Sequence, residues 1–360
     1  MKRAVLLVLF GVGASCGPPV VEMDAGRDAG MVETDAGDEV DAGVDAGEPD
    51  AGPPDAGEVD AGVDAGLAPG FDGGPRAAFD AGVCPVATGI GPVYRLRAMA
   101  ANLTSGNRQS YDPGDGARIM QGVDPDVIMI QEFNYDAGIT TFVAQTFDGG
   151  FSYARGVGGS GMIPNGIISR WPILSSGDWT DSRVTNRAYT WARIDIPGPN
   201  DLWAISVHLL TANPATRAAE ALELIGFINA NVPDGDYLLL GGDFNTASRT
   251  SPNPDGGVGE TAFDNFSQRF FVLGPHPVDQ TGNENTNTNR NKPYDNVLAS
   301  PCLAQLQGPT TLATSTYSWG AVIDTRLYTP VTDLTPALAT DSAATGMQHM
   351  GVVKDFFIQP

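Results

Sequence analysis

The chain has 360 residues and a net charge of −23, from 20 basic and 43 acidic side chains. Tight non-specific nucleic-acid binding relies on surface Lys and Arg to displace counterions, so this balance excludes a storage or architectural DNA binder. A hydrolase that releases its substrate quickly tolerates it. Residues 1–82 hold 17 acids and 4 basic residues, a net of −13, and residues 83–360 hold 26 and 16, a net of −10. The second part is therefore acidic in its own right, and its only lysines are Lys292 and Lys354.

Met1 to Ser15, "MKRAVLLVLFGVGAS", sets Lys2 and Arg3 before the apolar run Ala4 to Val12. That run is too short to span a bilayer and fits the apolar region of a secretory signal. Small residues then lead into Cys16, an order that suits a bacterial lipoprotein signal with Cys16 lipidated after cleavage. The alternative is a plain cleaved signal with an incidental cysteine. Between Asp24 and Asp80 the tripeptide Asp-Ala-Gly occurs ten times. The tract has almost no large apolar side chains to offset the entropy of ordering, and its spaced aspartates repel one another. Calcium-binding repeats of this kind also carry a periodic aliphatic residue, which is missing here. The expected organisation is a signal over 1–16, a disordered linker over 17–82 and one folded domain over 83–360.

Within the folded part, "YRLRAMAAN" (94–102) reads as a strand and "DGARIMQGV" (115–123) as a short helix with Asp115 as N-cap. "DVIMIQE" (126–132) reads as a buried strand. "NGIISRWPILSSG" (165–177) reads as two strands meeting near Pro172, and "RAYTWARIDI" (187–196) alternates as a half-buried strand does. "DLWAISVHLL" (201–210) is another strand. In "NPATRAAEALELIGFINANV" (213–232), Asn213 caps an amphipathic helix, Pro214 occupies its first turn, and Ala218, Leu222 and Ile225 form the apolar stripe. "YLLLGGDFN", "YDNVLAS" (294–300) and "HMGVVKDFF" (349–357) supply the later strands. So many strands with few helices between them point to two packed sheets flanked by helices.

Polar groups collect at the strand ends. Asn102, Glu132, His208, Asp243 with Asn245, Asp295 and His349 each sit where an apolar run stops or starts. One acid after Gly-Gly is explained by a tight turn alone. A set spread over separate segments points to a site. Glu132 and Asn102 are hard oxygen ligands suited to Mg²⁺ (or Mn²⁺). Three histidines and two distant cysteines in the folded part do not make a zinc cage. Two histidines with an acid–amide pair suit attack of water on a phosphoester. No Gly-rich loop ends in Lys-Ser or Lys-Thr, which argues against a nucleotide-switching ATPase.

"MIQE", "SVHLL", "GGDFN", "YDNVLAS" and "HMGVV" together resemble the ordered motifs of the endonuclease/exonuclease/phosphatase superfamily, over about residues 93–357. The resemblance implies a four-layer α/β/β/α sandwich of two packed, mostly antiparallel sheets, with the site at one edge. It implies Glu132 as principal metal ligand beside Asn102, and Asp243 as the group that orients the attacking water. It implies Asn245 in the phosphate or metal shell. His208 and His349 would grip the scissile phosphate, with Asp295 orienting His349. Arg187 falls where nuclease members place a phosphate-contacting arginine, with an ordinary strand-edge cation as the alternative. Asn165 is expected, with Arg187, to bind the substrate phosphate and to support His208, and His276, between two prolines, to be a loop residue. The family carries Ser-Asp-His before the last strand; here Gln348 replaces the aspartate, which leaves a neutral oxygen where a charged metal ligand is usual.

The segment "DQTGNENTNTNRNKPYDNVLAS" looks like the loop and strand before the same aspartate in deoxyribonuclease I, so a nuclease acting on DNA or RNA is the first expectation. The phosphodiester substrate, bound transiently, is then the partner; the membrane is met only through the lipid anchor, and no protein partner is inferred. A phosphatase or a lipid phosphodiesterase of the sphingomyelinase or inositol-phosphate type is the alternative on the same scaffold. A catalytically weak surface binding protein is another. Export to the outer membrane, the cell surface or the periplasm follows from the signal. It places Cys84 and Cys302 in an oxidising compartment and predicts a disulfide between them, against two buried free thiols.

Overall fold

The computed structural model describes Cys84 and residues 91–107, 109–147, 149–249 and 262–359. The signal segment, Cys16 and the Asp-Ala-Gly tract lie outside the described residues.

In chain order the strands are β1 (Tyr94–Ala101), β2 (Val127–Ile130), β3 (Ser152–Arg155), β4 (Gly166–Ser169), β5 (Ile173–Thr180), β6 (Ala188–Ile194), β7 (Leu202–His208), β8 (Tyr237–Asp243), β9 (Asp295–Ala299), β10 (Gln307–Gly308), β11 (Thr310–Leu312), β12 (Ser315–Tyr317), β13 (Ala321–Ile323) and β14 (Gly351–Ile358). The main helices are α1 (Asp115–Val123), α2 (Ile139–Thr146), α3 (Pro214–Asn231) and the short α4 (Ala262–Phe266). One sheet runs β10-β14-β1-β2-β4-β3, with β13 also paired to β14. The other runs β5-β6-β7-β8-β9, and β11 and β12 form a separate hairpin. Two pairings are parallel, β1 with β2 and β7 with β8; the other pairings of the two large sheets are antiparallel.

Strand alternation builds the layers. In β1, Leu96, Ala98 and Ala100 face the second sheet, while Met99 and Ala101 face α1 and α2. In β8, Tyr237 and Leu239 face the first sheet, while Leu238 and Leu240 face α3 and α4. Three apolar layers result, one between the sheets and one under each helix pair, giving the α/β/β/α sandwich. The sheets approach closely where β8 ends. A Cβ on Gly241 would lie 2.3 Å from Met129 Cε, and one on Gly242 would lie 2.0 Å from the Val207 carbonyl oxygen, at a φ of 143°. Only glycine fits at position 242, whereas a side chain at 241 would have to displace the tip of Met129.

Two local expectations are corrected. Gly114, at φ 84°, occupies the N-cap of α1, and Asp115 is the first helical residue. Asp115 instead accepts from Ser105 Oγ at 2.9 Å and pairs with Arg118. Helix α3 keeps its Asn213 cap, whose side chain accepts from the amides of Ala215 and Thr216. Its buried face is Ala221, Leu224, Ile225 and Ile228, while Leu222 is 55% exposed. The inward face is completed by Arg217 and Glu220, two charged residues that a hydrophobic pattern passes over. Cys84 and Cys302 are disulfide-bonded, which ties the segment before β1 to the end of β9. Among the described residues, no helix is long and apolar enough to cross a membrane.

Candidate active site

Strand register brings the polar ends together. The parallel pair β1–β2 ends at Ala101 opposite Ile130, so Asn102 and Glu132 emerge side by side. In the parallel pair β7–β8, His208 stands opposite Asp243. The antiparallel partner β9 sets Asp295 opposite Asp243. His349, just before β14, is bridged to Asn287 in the long loop that precedes β9. All six side chains are buried.

Asp243 is the hub. Its Oδ2 lies 3.2 Å from Asn102 Nδ2, 3.3 Å from His208 Nε2 and 3.3 Å from His349 Nε2. Its Oδ1 accepts from the Asn245 amide at 2.9 Å, and Asn245, at φ 51°, donates its own Nδ2 to the Leu209 carbonyl. Burial pushes the Asp243 pKa up to about 6, with His349 pulling against it. Glu132 accepts from Thr104 Oγ1 at 3.0 Å and from Asn102 Nδ2 at 3.5 Å. Burial pushes its pKa up to about 7.

The two histidines carry different charges. Burial alone would lower His349; Asp295, whose Oδ2 lies 3.0 Å from Nδ1, and Asp243 outweigh it and push the pKa up to about 10. His349 is thus an imidazolium held between two carboxylates. His208 is driven well below its ordinary value by burial first, then by Arg187 and His349. Its 3.3 Å approach to Asp243 is therefore a polar contact of a neutral ring rather than an ion pair. Its Nδ1, 3.9 Å from Glu132 Oε1, is buried without a hydrogen-bond partner.

Two groups here are suited to a cation. Asp243, Asp295 and His349 offer ligand atoms within 4.8 Å of one another. Both ring nitrogens of His349 already face carboxylates in that group, so its charge is balanced from within. Glu132 and Asn102 differ. Asn102 Oδ1 is buried without a partner beside a carboxylate that burial has made hard to ionise. An unsatisfied amide oxygen next to such a carboxylate fits a hard divalent cation.

The remaining predicted residues lie further out. Arg187 is buried behind His208, donating from Nε to Asn186 and from an Nη to the His208 carbonyl at 3.4 Å. Asn165 donates to the Ala188 carbonyl at 2.7 Å, not to His208, so its expected support of that ring is corrected. Gln348 is exposed between buried Met347 and His349, and its backbone carbonyl accepts from Thr288. Asp341, the nearest acid upstream of it in sequence, is committed to Arg118. His276 lies in a loop, as expected. Sequence reading passed over Thr104, the direct partner of Glu132, and the Gln131–Ser206 bond of 2.8 Å that joins the two sheets beneath the site. Both sit next to strand ends already singled out, which was the available signal.

The model of the endonuclease/exonuclease/phosphatase family matches residues 105–318. An endonuclease/exonuclease/phosphatase from Beutenbergia cavernae superposes with a TM-score of 0.50 at 17% identity, over 73% of this chain and 72% of that one. A second family protein, from Bacteroides vulgatus, gives 0.49 at 13% identity over 74% and 100% of the two chains. Truncated TDP2 of Caenorhabditis elegans gives 0.46 at 15% over 73% and 98%. No curated protein matches in sequence. At these identities the first superposition supports the fold alone, and the family rests on the model match. With that match covering Glu132, His208, Asp243 and Asp295 of the strand-end cluster, the chain belongs to the endonuclease/exonuclease/phosphatase family and is by that membership a phosphoric ester hydrolase.

Proposed function

We propose that the protein is an exported, divalent-metal-dependent phosphodiesterase whose substrate is a nucleic acid. The observation that carries the reading is the single carboxylate oxygen of Asp243, shared by Asn102, a neutral His208 and a charged His349. Asp243 takes a proton from the attacking water, and a pKa raised to about 6 makes it a better base than an ordinary aspartate. His349, kept positive by Asp295, stabilises the charge that builds on the phosphate and protonates the leaving oxygen. His208 offers its Nε2–H to a phosphate oxygen. Asn245 holds Asp243 in place through its amide. Arg187 braces the His208 carbonyl and adds to the burial that keeps the ring neutral. Glu132 and Asn102 would hold Mg²⁺ or Mn²⁺, which supplies charge neutralisation on the phosphate when bound.

The long Asn- and Thr-rich loop supports the nucleic-acid reading, because its Thr286 and Asn287 attach it to Asp295 and His349. The Cys84–Cys302 disulfide supports export, as does the signal-like N-terminus with Cys16 as its lipidation point. The test is to assay the purified chain with Mg²⁺ or Mn²⁺ against plasmid DNA, RNA, a generic phosphodiester and sphingomyelin. The reading expects metal-dependent cleavage of DNA or RNA. Turnover of sphingomyelin alone would move the protein to the lipid phosphodiesterases, and no turnover of any substrate would leave a binding protein.

A further inference from the structure

This inference rests on the reading that Asn102 and Glu132 hold the cation. Tyr111 lies between β1 and α1 and is fully buried. Its ring packs 5.4 Å from Phe142 of α2, as a core tyrosine does. Its hydroxyl does something more particular. The oxygen lies 2.8 Å from the Ala101 carbonyl and 3.0 Å from the Gln131 carbonyl, and it accepts from the Leu103 amide at 3.2 Å. Those backbone groups belong to the residues on both sides of Asn102 and to the residue before Glu132. A phenol has one proton, so that proton is shared between the two carbonyls.

The position matters because the sheet stops there. The last β1–β2 pair is Ala101 with Ile130, and the next bond, from the Gln131 amide to the Ala101 carbonyl, has lengthened to 3.3 Å. Glu132 then takes a φ of 51°, a left-handed conformation that a non-glycine residue keeps only when its surroundings hold it. Beyond Glu132 the backbone is fixed by the Phe133 amide bonding to the Pro164 carbonyl. On the near side the Tyr111 hydroxyl joins the two diverging segments. Thr104 orients the Glu132 side chain but not its backbone.

We propose that Tyr111 is a positioning residue that fixes the spacing of Asn102 and Glu132 for a divalent cation by bracing the backbone beside each. Groups that orient metal ligands typically change affinity about 10-fold to 100-fold when removed. The test is calorimetric titration of the full chain with Mn²⁺ in wild type, Tyr111→Phe and Tyr135→Phe. Tyr135 is the control, since its ring lies 5.3 Å from the same Phe142 while its hydroxyl bonds only to Gln145. Tyr111→Phe should bind Mn²⁺ about tenfold more weakly while still melting cooperatively in EDTA, and Tyr135→Phe should match wild type. A 4-aminophenylalanine at position 111 restores a donor and should recover the affinity. Equal affinity in wild type and Tyr111→Phe overturns the proposal, and so does equal weakening in both variants, which marks a core effect. Should Tyr111→Phe fail to melt cooperatively, the 4-aminophenylalanine chain decides, and a tenfold loss there also overturns it. A wild-type chain that binds no Mn²⁺ removes the metal reading itself, and this inference with it.

Discussion

Replacing both Cys84 and Cys302 by serine opens a covalent loop that spans a sequence separation of 218 residues. In the chain-entropy description, the bond stabilises by limiting the unfolded ensemble, and a loop of this length gives about 5 kcal/mol. That is an upper figure, since measured gains fall short when the unfolded chain keeps some structure. For a domain of this size, each kcal/mol moves the melting midpoint by about 2 °C, so a loss approaching 10 °C is expected. The bond ties Cys84 to the residue two positions beyond Ser300, which stays bonded to the β8 backbone at Leu238. The fold itself should persist, because neither sulfur lines the site. The assay is thermal unfolding followed by far-ultraviolet circular dichroism on wild type, wild type in reductant and the double variant. Reduced wild type and the variant should melt together, well below oxidised protein. Coincident midpoints in all three samples, or two alkylatable thiols in protein isolated without reductant, would refute the reasoning.

Other outcomes follow from the same geometry. His208→Ala should lower turnover by on the order of 10²-fold with the melting midpoint nearly unchanged, and EDTA should abolish what remains; turnover that survives both contradicts the proposed chemistry. Gln348→Asp places its charge on an exposed side chain turned away from His349, so the Mg²⁺ concentration for half-maximal activity should stay unchanged; a clearly lower value would place position 348 in the metal shell. Glu220 is buried, with its pKa pushed up to about 8 by burial, and its Oε1 and the Asp181 Oδ2 have no other partner, so they share the Glu220 proton. A carboxyl whose folded pKa is raised contributes stability that is full below about pH 4.5 and is lost as pH rises through about 8. Glu220→Gln keeps a neutral donor there, so it should melt above wild type at pH 9 and show little difference at pH 5; parallel melting-versus-pH curves would contradict the shared proton.

Much of the site was legible because strand ends advertise themselves. A run such as "YLLLGGD" stays apolar for as long as both faces are buried, and it turns polar where the sheet opens. The pairing that makes those ends a cluster was not legible. Nothing local says that His208 stands opposite Asp243, since that register is set by side chains packing between sheets. The α3 stripe failed for a related reason. Leu222 is apolar but exposed, while Glu220 is polar and ionisable but buried against Asp181, and periodicity weighs neither partner. Asp115 was one residue off because Gly114 supplies the left-handed turn. Gln348 was assigned by its neighbour His349, yet consecutive residues in an extended segment face opposite ways, which leaves it exposed. Tyr111 carries no sequence signal at all, because its role depends on two carbonyls that are distant until β1 and β2 pair.

The carboxylate of Asp243 is proposed to activate the water that attacks a phosphodiester. Asp243→Asn keeps the shape and leaves an amide oxygen for the Asn245 amide, but removes the base. Single-turnover nicking of supercoiled plasmid in Mg²⁺ or Mn²⁺, with metal affinity measured on the same samples, tests it directly. The nicking rate should fall by on the order of 10²-fold or more, with cation binding retained. Nicking at the wild-type rate by Asp243→Asn, with metal bound, would contradict it.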